Sequence, residues 1–341
     1  MVFKFRQFCN LILAVMLYHF RKKHSMRNKW LRGIGYTVLV IFIIINFLMA
    51  SQAYHLTHFY ANIPPPPPPT EMSTGAKIRA ALFGVSLPKS KVADSLAIPH
   101  QTLQIKTEDG LTLESWHIAH PNSVPKGTVV MFHGHGSNKS AVIREARVFF
   151  DMGWDVLLTD FRAHGNSEGE VCTIGANEAK DVKAVYQYTR DSLHEKNLVI
   201  WGISLGASTT LHALATYQLK PNKVILEMPF ATLHDAVKGR LRMMHLPAEP
   251  IASLLTFWGG IQQGFWAFNL QPVEDAGAVA CPVLLQWGFK DPRVTEAETD
   301  IIFAKLGTRD RTLMKYYQSG HESLLKKEPE KWRTVVAQFL Q

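Results

Sequence analysis

Leu198-Val199-Ile200-Trp201-Gly202-Ile203-Ser204-Leu205-Gly206 is the stretch that decides the fold. Its four leading apolar residues predict a buried strand, the two glycines around a serine predict a sharp turn, and the residues from 205 to 219 predict a helix. A serine hydroxyl is a weak nucleophile until its geometry is forced and a base stands beside it. A strand–turn–helix junction forces that geometry by lifting the Ser204 oxygen at the carboxyl edge of a sheet. The flanking glycines let two backbone segments approach, and the Leu205 amide, opening the new helix, points at a developing oxyanion. Gly-X-Ser-X-Gly alone arises by chance in roughly one chain of this length in ten, so the context and the partners carry the weight.

Outward from this junction the chain alternates between strand and helix. Strands are predicted at 102–107, 111–118, 128–133, 155–160, 198–201, 223–228, 283–287 and 312–316, and helices at 177–191, 205–219, 295–306 and 329–340. Asp109-Gly110 splits the first two strands and predicts a hairpin with a type I′ turn. The rest implies an α/β fold with a mainly parallel sheet of about eight strands and helices on both faces.

Three further segments can complete a site. His133-Gly134-His135-Gly136 ends an earlier strand, where a second oxyanion amide is expected, and we assign it to His135 with its ring incidental. In the loop 160–167, Asp160 and Arg162 are expected to pair and support the site, with His164 a surface histidine. Asp291 follows the late strand 283–287, and His321 follows the last strand through a short loop. A carboxylate at Asp291 can orient an imidazole at His321, which can deprotonate Ser204. The His133/His135 pair lacks the further ligands of a metal site, so no metal and no cofactor are expected.

Taken together, His133-Gly134, the 160–167 loop, Gly202–Gly206, Asp291 and His321, in that order, resemble the α/β-hydrolase superfamily, in particular its single-domain esterase, lipase and serine-aminopeptidase-like members. The resemblance covers about residues 98–341. It implies acyl transfer through an acyl-serine, with Ser204, Asp291 and His321 as triad and the Leu205 and His135 amides as oxyanion hole. Gly-His-Gly after His133 departs from the consecutive glycines of some lipases and leaves acyl and alcohol preferences open.

The amino-terminal part has a different character. Residues 1–33 hold eight of the 37 basic residues and none of the 28 acidic ones, so the remainder carries 29 against 28 and is nearly neutral despite the net charge of +9. A neutral body offers no footprint for a phosphate backbone, and no nucleic-acid partner is expected. Residues 34–54 are apolar enough to cross a bilayer, with Thr37 and Asn46 as polar interruptions. The expected organisation is a basic cytoplasmic segment (1–33), a transmembrane anchor (34–54), a Pro-rich linker and connector helix (55–94) and an α/β-hydrolase domain (95–341) with a cap at about 231–278. By the positive-inside rule the body lies across the membrane, periplasmic in a bacterium. A signal cleaved near Ser51-Gln52-Ala53 is the other reading. The apolar run 8–20 is expected to lie in the interface. Pro64 to Pro69 predict a polyproline spacer of roughly 19 Å between anchor and body. Cys9, Cys172 and Cys281 form no disulfide framework; unpaired thiols are expected, with a Cys172–Cys281 bridge the alternative in an oxidising compartment.

Residues 251–273 carry no charge and hold Leu254, Leu255, Phe257, Trp258, Phe265, Trp266 and Phe268. They are read as cap helix rather than a second span, because one crossing there would separate Ser204 from His321. The expected function is a serine hydrolase cleaving a carboxylic ester with a hydrophobic acyl or lipid part, the partners being that substrate and the membrane. A serine peptidase on the same fold and an inactive membrane-tethered interaction module remain as alternatives.

Overall fold

The computed structural model describes residues 26–68, 70–93, 98–121 and 124–341, with side chains in the first helix from Lys29. The run 8–20, Cys9, the basic side chains before Lys29 and Pro69 lie outside the described residues. Residues 1–47 and 48–341 form two compact units.

The described part of the first unit belongs to helix α1 (Met26–Thr57), whose stretch Lys29–Thr57 contains an 18-residue window of mean hydropathy 2.3 and is long and apolar enough to cross a membrane. Its polar interruptions are satisfied within the helix: Thr37 Oγ1 donates to the Gly33 carbonyl (3.1 Å) and Asn46 Nδ2 to that of Phe42 (2.8 Å). That is how an apolar span tolerates polar side chains.

The second unit opens with the last turns of α1. After them, Phe59–Tyr60 pairs in parallel with Leu87–Pro88, which follows helix α2 (Thr74–Phe83). The connector helix expected within 55–94 is therefore ten residues long. Ser73 caps it, and it stops at Gly84 (φ +85°), where a Cβ would collide with the His55 ring. The proline run is not a stand-off. The chain joins the body before the prolines, through Cys172 N to Thr57 O (2.8 Å), Phe59 N to Glu170 O (2.8 Å) and the Phe59 ring, 2% exposed.

Eight strands form the main sheet: β1 (Gln101–Lys106), β2 (Thr112–Ile118), β3 (Thr128–Phe132), β4 (Asp155–Thr159), β5 (Leu198–Ile203), β6 (Lys223–Glu227), β7 (Val283–Gly288) and β8 (Arg311–Tyr316). Their order is β8-β7-β6-β5-β3-β4-β2-β1, and β2 alone runs against the other seven, antiparallel to both β1 and β4. The β1–β2 turn is not type I′. Of residues 108–110 only Gly110 has positive φ, and Thr107 N donates to Leu111 O (2.8 Å) across a three-residue loop. Type I′ needs left-handed backbone at both central residues. Asp109 instead commits its carboxylate to Thr107 Oγ1 (2.7 Å) and Arg162 (2.8 and 3.1 Å).

Helices α3 (Ile143–Asp151), α4 (Glu178–Asp191) and α5 (Leu205–Tyr217) follow successive strands. Helices α6 (Leu233–Met243) and α7 (Ile251–Gln263) lie in the β6–β7 insertion, and α8 (Glu296–Lys305) and α9 (Pro329–Leu340) complete the chain. The central strands are apolar on both faces because both are covered. Leu198 and Ile200 of β5 pack with Val182, Leu211 and Ile302 from α4, α5 and α8. Val199 and Trp201 pack on the other side with Phe149 and Trp332 from α3 and α9. The insertion is anchored by a cluster of Leu241, Ala252 and Leu255 with Ala53, and by Gln262 Nε2 donating to the Ala50 carbonyl (2.8 Å).

Candidate active site

Ser204 stands between β5 and α5 with φ +53° and ψ −112°. A non-glycine residue so placed costs about 1–3 kcal/mol and persists only where its surroundings enforce it. They do so here. The Ser204 amide donates to the Glu227 carbonyl of β6 (2.8 Å), and its carbonyl accepts from Ser208 N (3.0 Å). A Cβ on Gly202 would lie 2.5 Å from the Gly206 carbonyl carbon, so the strand and the helix it enters nearly touch. The hydroxyl emerges at the carboxyl edge of the sheet, where strand order changes direction between β5 and β3.

His321 reaches it from the loop after β8. Its Nε2 lies 2.9 Å from Ser204 Oγ, and its Nδ1 lies 2.7 Å from Asp291 Oδ2. The other oxygen of Asp291 accepts the amides of Arg293 (2.7 Å) and Val294 (3.0 Å), which fixes the carboxylate's orientation. The Asp291 side chain is fully buried. Gly288 ends β7 against the histidine loop, where a Cβ would lie 2.5 Å from the Gly320 carbonyl oxygen. All three residues chosen from sequence thus converge.

The loop after β3 lies against them: a Cβ on Gly134 would sit 3.6 Å from Ser204 Cβ. Leu205 is the first residue of α5, so its amide has no acceptor in its own helix. Two histidines hold the β3 loop. His164 is buried rather than at the surface; its Nε2 accepts the Gly136 amide (3.0 Å) and its Nδ1 donates to the Arg162 carbonyl (2.9 Å). His133 Nε2 accepts the Phe161 amide (3.1 Å) and its Nδ1 donates to the Gly134 carbonyl (2.7 Å). Burial lowers the pKa of both to about 4, so each stays neutral with one nitrogen free to accept.

Asp160 and Arg162 do not pair with each other. Asp160 binds buried Lys139 (2.5 Å), while Arg162 binds Asp181 (2.7 Å) and Asp109 (2.8 Å). The Asp160 carboxylate sits under Gly165, where a Cβ would meet Oδ1 at 2.6 Å. Behind the site, Glu227 is wholly buried. Its Oε1 accepts Trp332 Nε1 (2.6 Å), Trp201 Nε1 (3.0 Å) and Gln286 Nε2 (3.2 Å). Burial, then nearby Glu145, raises its pKa to about 8.

Ser204 and His321 open into a cavity of about 580 Å³, the size of a small-molecule site. Its wall is mostly apolar, with Met49 and Leu56 of α1, Val237 and Leu241 of α6, and Ile251 and Leu255 of α7. The cap supplies an apolar wall, but through aliphatic side chains and not through its aromatic ones. Ile251 and Leu255 share one face of α7, whereas Phe257, Trp258, Trp266 and Phe268 pack edge-on or tilted against one another, at 5.3–6.0 Å between neighbouring rings, with Trp266 51% exposed. The His135 ring, set aside as incidental, also lines the cavity, with a buried, unpartnered Nε2. Arg240 and Arg293 line it too; sequence patterning singled out neither, although Arg293 lies two residues beyond Asp291.

The family model described as serine aminopeptidase, S33 (Hydrolase_4) matches residues 123–262. An esterase of Pyrococcus furiosus, Pf2001, superposes with a TM-score of 0.61 over 74% of this chain and 97% of its own, at 22% identity. The chain has the α/β-hydrolase fold. Among curated relatives, this α/β-hydrolase is 27% identical over 235 residues to the uncharacterized protein YqkD of Bacillus subtilis, covering 68% of this chain and 76% of that one. It is 25% identical over 183 residues to the lysophosphatidylserine lipase ABHD12 of Danio rerio, covering 50% of this chain and 44% of the lipase.

Proposed function

We propose that this α/β-hydrolase is a membrane-anchored serine hydrolase cleaving a carboxylic ester with an apolar acyl part. The observation that carries the reading is the hydrogen-bond relay from Asp291 to His321 (2.7 Å) to Ser204 (2.9 Å), ending on a serine held in left-handed backbone. His321 Nε2 takes the Ser204 proton as Oγ attacks the carbonyl carbon, and the Leu205 and His135 amides receive the oxyanion. The same nitrogen returns the proton to the leaving alcohol, giving an acyl-serine that water cleaves by the same steps. Asp291 holds the tautomer and stabilises the imidazolium. The apolar cavity supports an apolar acyl group, and the lipase and esterase names of the relatives agree with it.

The serine-aminopeptidase description of the matching family favours a second reading, peptide cleavage. An aminopeptidase must hold a substrate ammonium, and among the described residues the cavity is lined by Lys77, Arg240 and Arg293 but by no carboxylate, which favours the ester. In this proposal residues 1–33 are cytoplasmic, 34–54 cross the membrane, 55–94 connect, and 95–341 act on the far side.

A fluorophosphonate probe and a graded series of acyl esters test the reading. The folded protein is expected to take the label and prefer medium-chain over acetyl esters, with Ser204→Ala losing the label and about five to six orders of magnitude in kcat. Absence of label and turnover in folded wild type would point to an inactive module. Faster cleavage of peptides with free amino termini would move it to the peptidases.

A further inference from the structure

Two arginines in the cavity wall have no counter-charge among the described residues. Arg240 on α6 and Arg293 beyond Asp291 both line the space into which Ser204, His135 and His321 open. Among the described residues neither guanidinium has an ion-pair partner, and the Arg293 Nε hydrogen bond goes to the Met243 sulfur (3.2 Å). Nearby Arg242 behaves as a structural arginine does, binding Glu298 (3.3 Å) and donating to the Arg293 carbonyl. The fold brings Arg240 and Arg293 together through Gly239. A Cβ there would lie 3.0 Å from the Arg293 carbonyl carbon, so the α6 backbone rests on the loop that carries Asp291.

The electrostatics agree with the geometry. Burial and then the neighbouring Arg293 lower the pKa of Arg240, and burial followed by Arg240 hold His135 well below its ordinary range. Lys77 adds a third cation, exposed on α2, and among the described residues no carboxylate lines the cavity. Like charges partly withdrawn from water without a partner raise the free energy of the empty site. An anion entering between them relieves it, and the guanidinium fork matches phosphate or carboxylate oxygens.

We propose that Arg240 and Arg293 form an anion subsite that selects an acyl ester carrying a phosphate or carboxylate on its alcohol side, an assignment of substrate class that rests on the esterase reading above. The apolar wall takes the acyl chain, and the arginines take the charged end. The substrate is therefore an anionic amphiphile, not a neutral ester.

The test compares kcat/KM for 1-oleoyl-lysophosphatidylglycerol and 1-oleoylglycerol, which share one acyl chain, using the full chain in detergent micelles. The anionic ester is expected to be preferred by at least about tenfold, mainly through KM. The preference should fall toward unity in Arg240→Gln and Arg293→Gln and be partly kept in Arg240→Lys. Only the ratio within each variant is read, and fluorophosphonate labelling confirms that each is folded. A second arm measures binding to Ser204→Ala by tryptophan fluorescence. Dodecyl phosphate or dodecanoate should bind more tightly than an uncharged dodecyl ether or inorganic phosphate, and the added Arg240→Gln change should abolish the difference; which of the two anions binds tighter names the charged group. A wild-type ratio near unity, a ratio unchanged in both labelled glutamine variants, or equal binding of charged and uncharged amphiphiles overturns the subsite. If neither ester is cleaved while Arg240-dependent anion binding remains, the esterase reading falls and the subsite stands.

Discussion

A Cβ on Gly206 would lie 2.7 Å from the carbonyl carbon of Phe132, so the helix bearing Ser204 rests directly on the end of β3. That contact sets the distance between the serine and the loop carrying the His135 amide. Gly206→Ala must push α5 from β3, an overpacking that costs about 1–3 kcal/mol. A small displacement at a reacting centre costs on the order of 10² in rate. The expected outcome is a folded protein with lowered Tm whose fluorophosphonate labelling slows about 100-fold. Labelling at the wild-type rate would show that this contact does not position the site.

His164 latches the same loop through the Gly136 amide, and His164→Phe removes the acceptor while keeping the ring. The expected effect is a drop in kcat of about 10² with KM little changed, as for loss of an oxyanion donor. Acid stability follows from the same residues. Folding lowers the pKa of His133 and His164 from 6.5 to about 4, so their contribution is complete above about 6.5 and lost as pH falls toward about 4. Urea midpoints across that window should decline in wild type and decline less steeply in His164→Phe.

Glu227 works in the opposite direction. Its pKa rises from 4.5 to about 8 on folding, so its contribution is complete below about 4.5 and lost as pH rises through about 8. Glutamine can accept the same indole hydrogen bonds without a proton to lose. Glu227→Gln should match wild-type stability near pH 5 and exceed it near pH 8, as measured by thermal melts in matched buffers. A variant less stable at both pH values would show that the carboxylate is ionised in the core.

Much of the architecture was legible because its signals are local. Each sheet strand is a short apolar run beside turn residues, and all eight appear within one to two residues of their expected bounds. Connections that depend on distant partners were less legible. The Asp109 turn departs from its dipeptide preference because Arg162, 53 residues away, draws its carboxylate. The prolines read as a spacer because nothing local shows that Phe59 is already buried in the body. In the cap, composition marked the apolar stretch, but only the phase of α7 decided that Ile251 and Leu255 face the cavity and the aromatics do not.

By itself, the amino-acid sequence determined the alternation of strands and helices, the sharp turn at Ser204, the apolar helix ahead of the body, and the order in which serine, aspartate and histidine occur. Those follow from propensities and periodicities that act over a few residues. Only the tertiary structure decided that His321 touches Ser204 across 117 residues of chain, that two histidines brace the loop beside it, and that Arg240 and Arg293 share one cavity without a counter-charge. Such facts depend on which backbones come close enough to touch, and that is set by the packing of distant segments, not by any one of them.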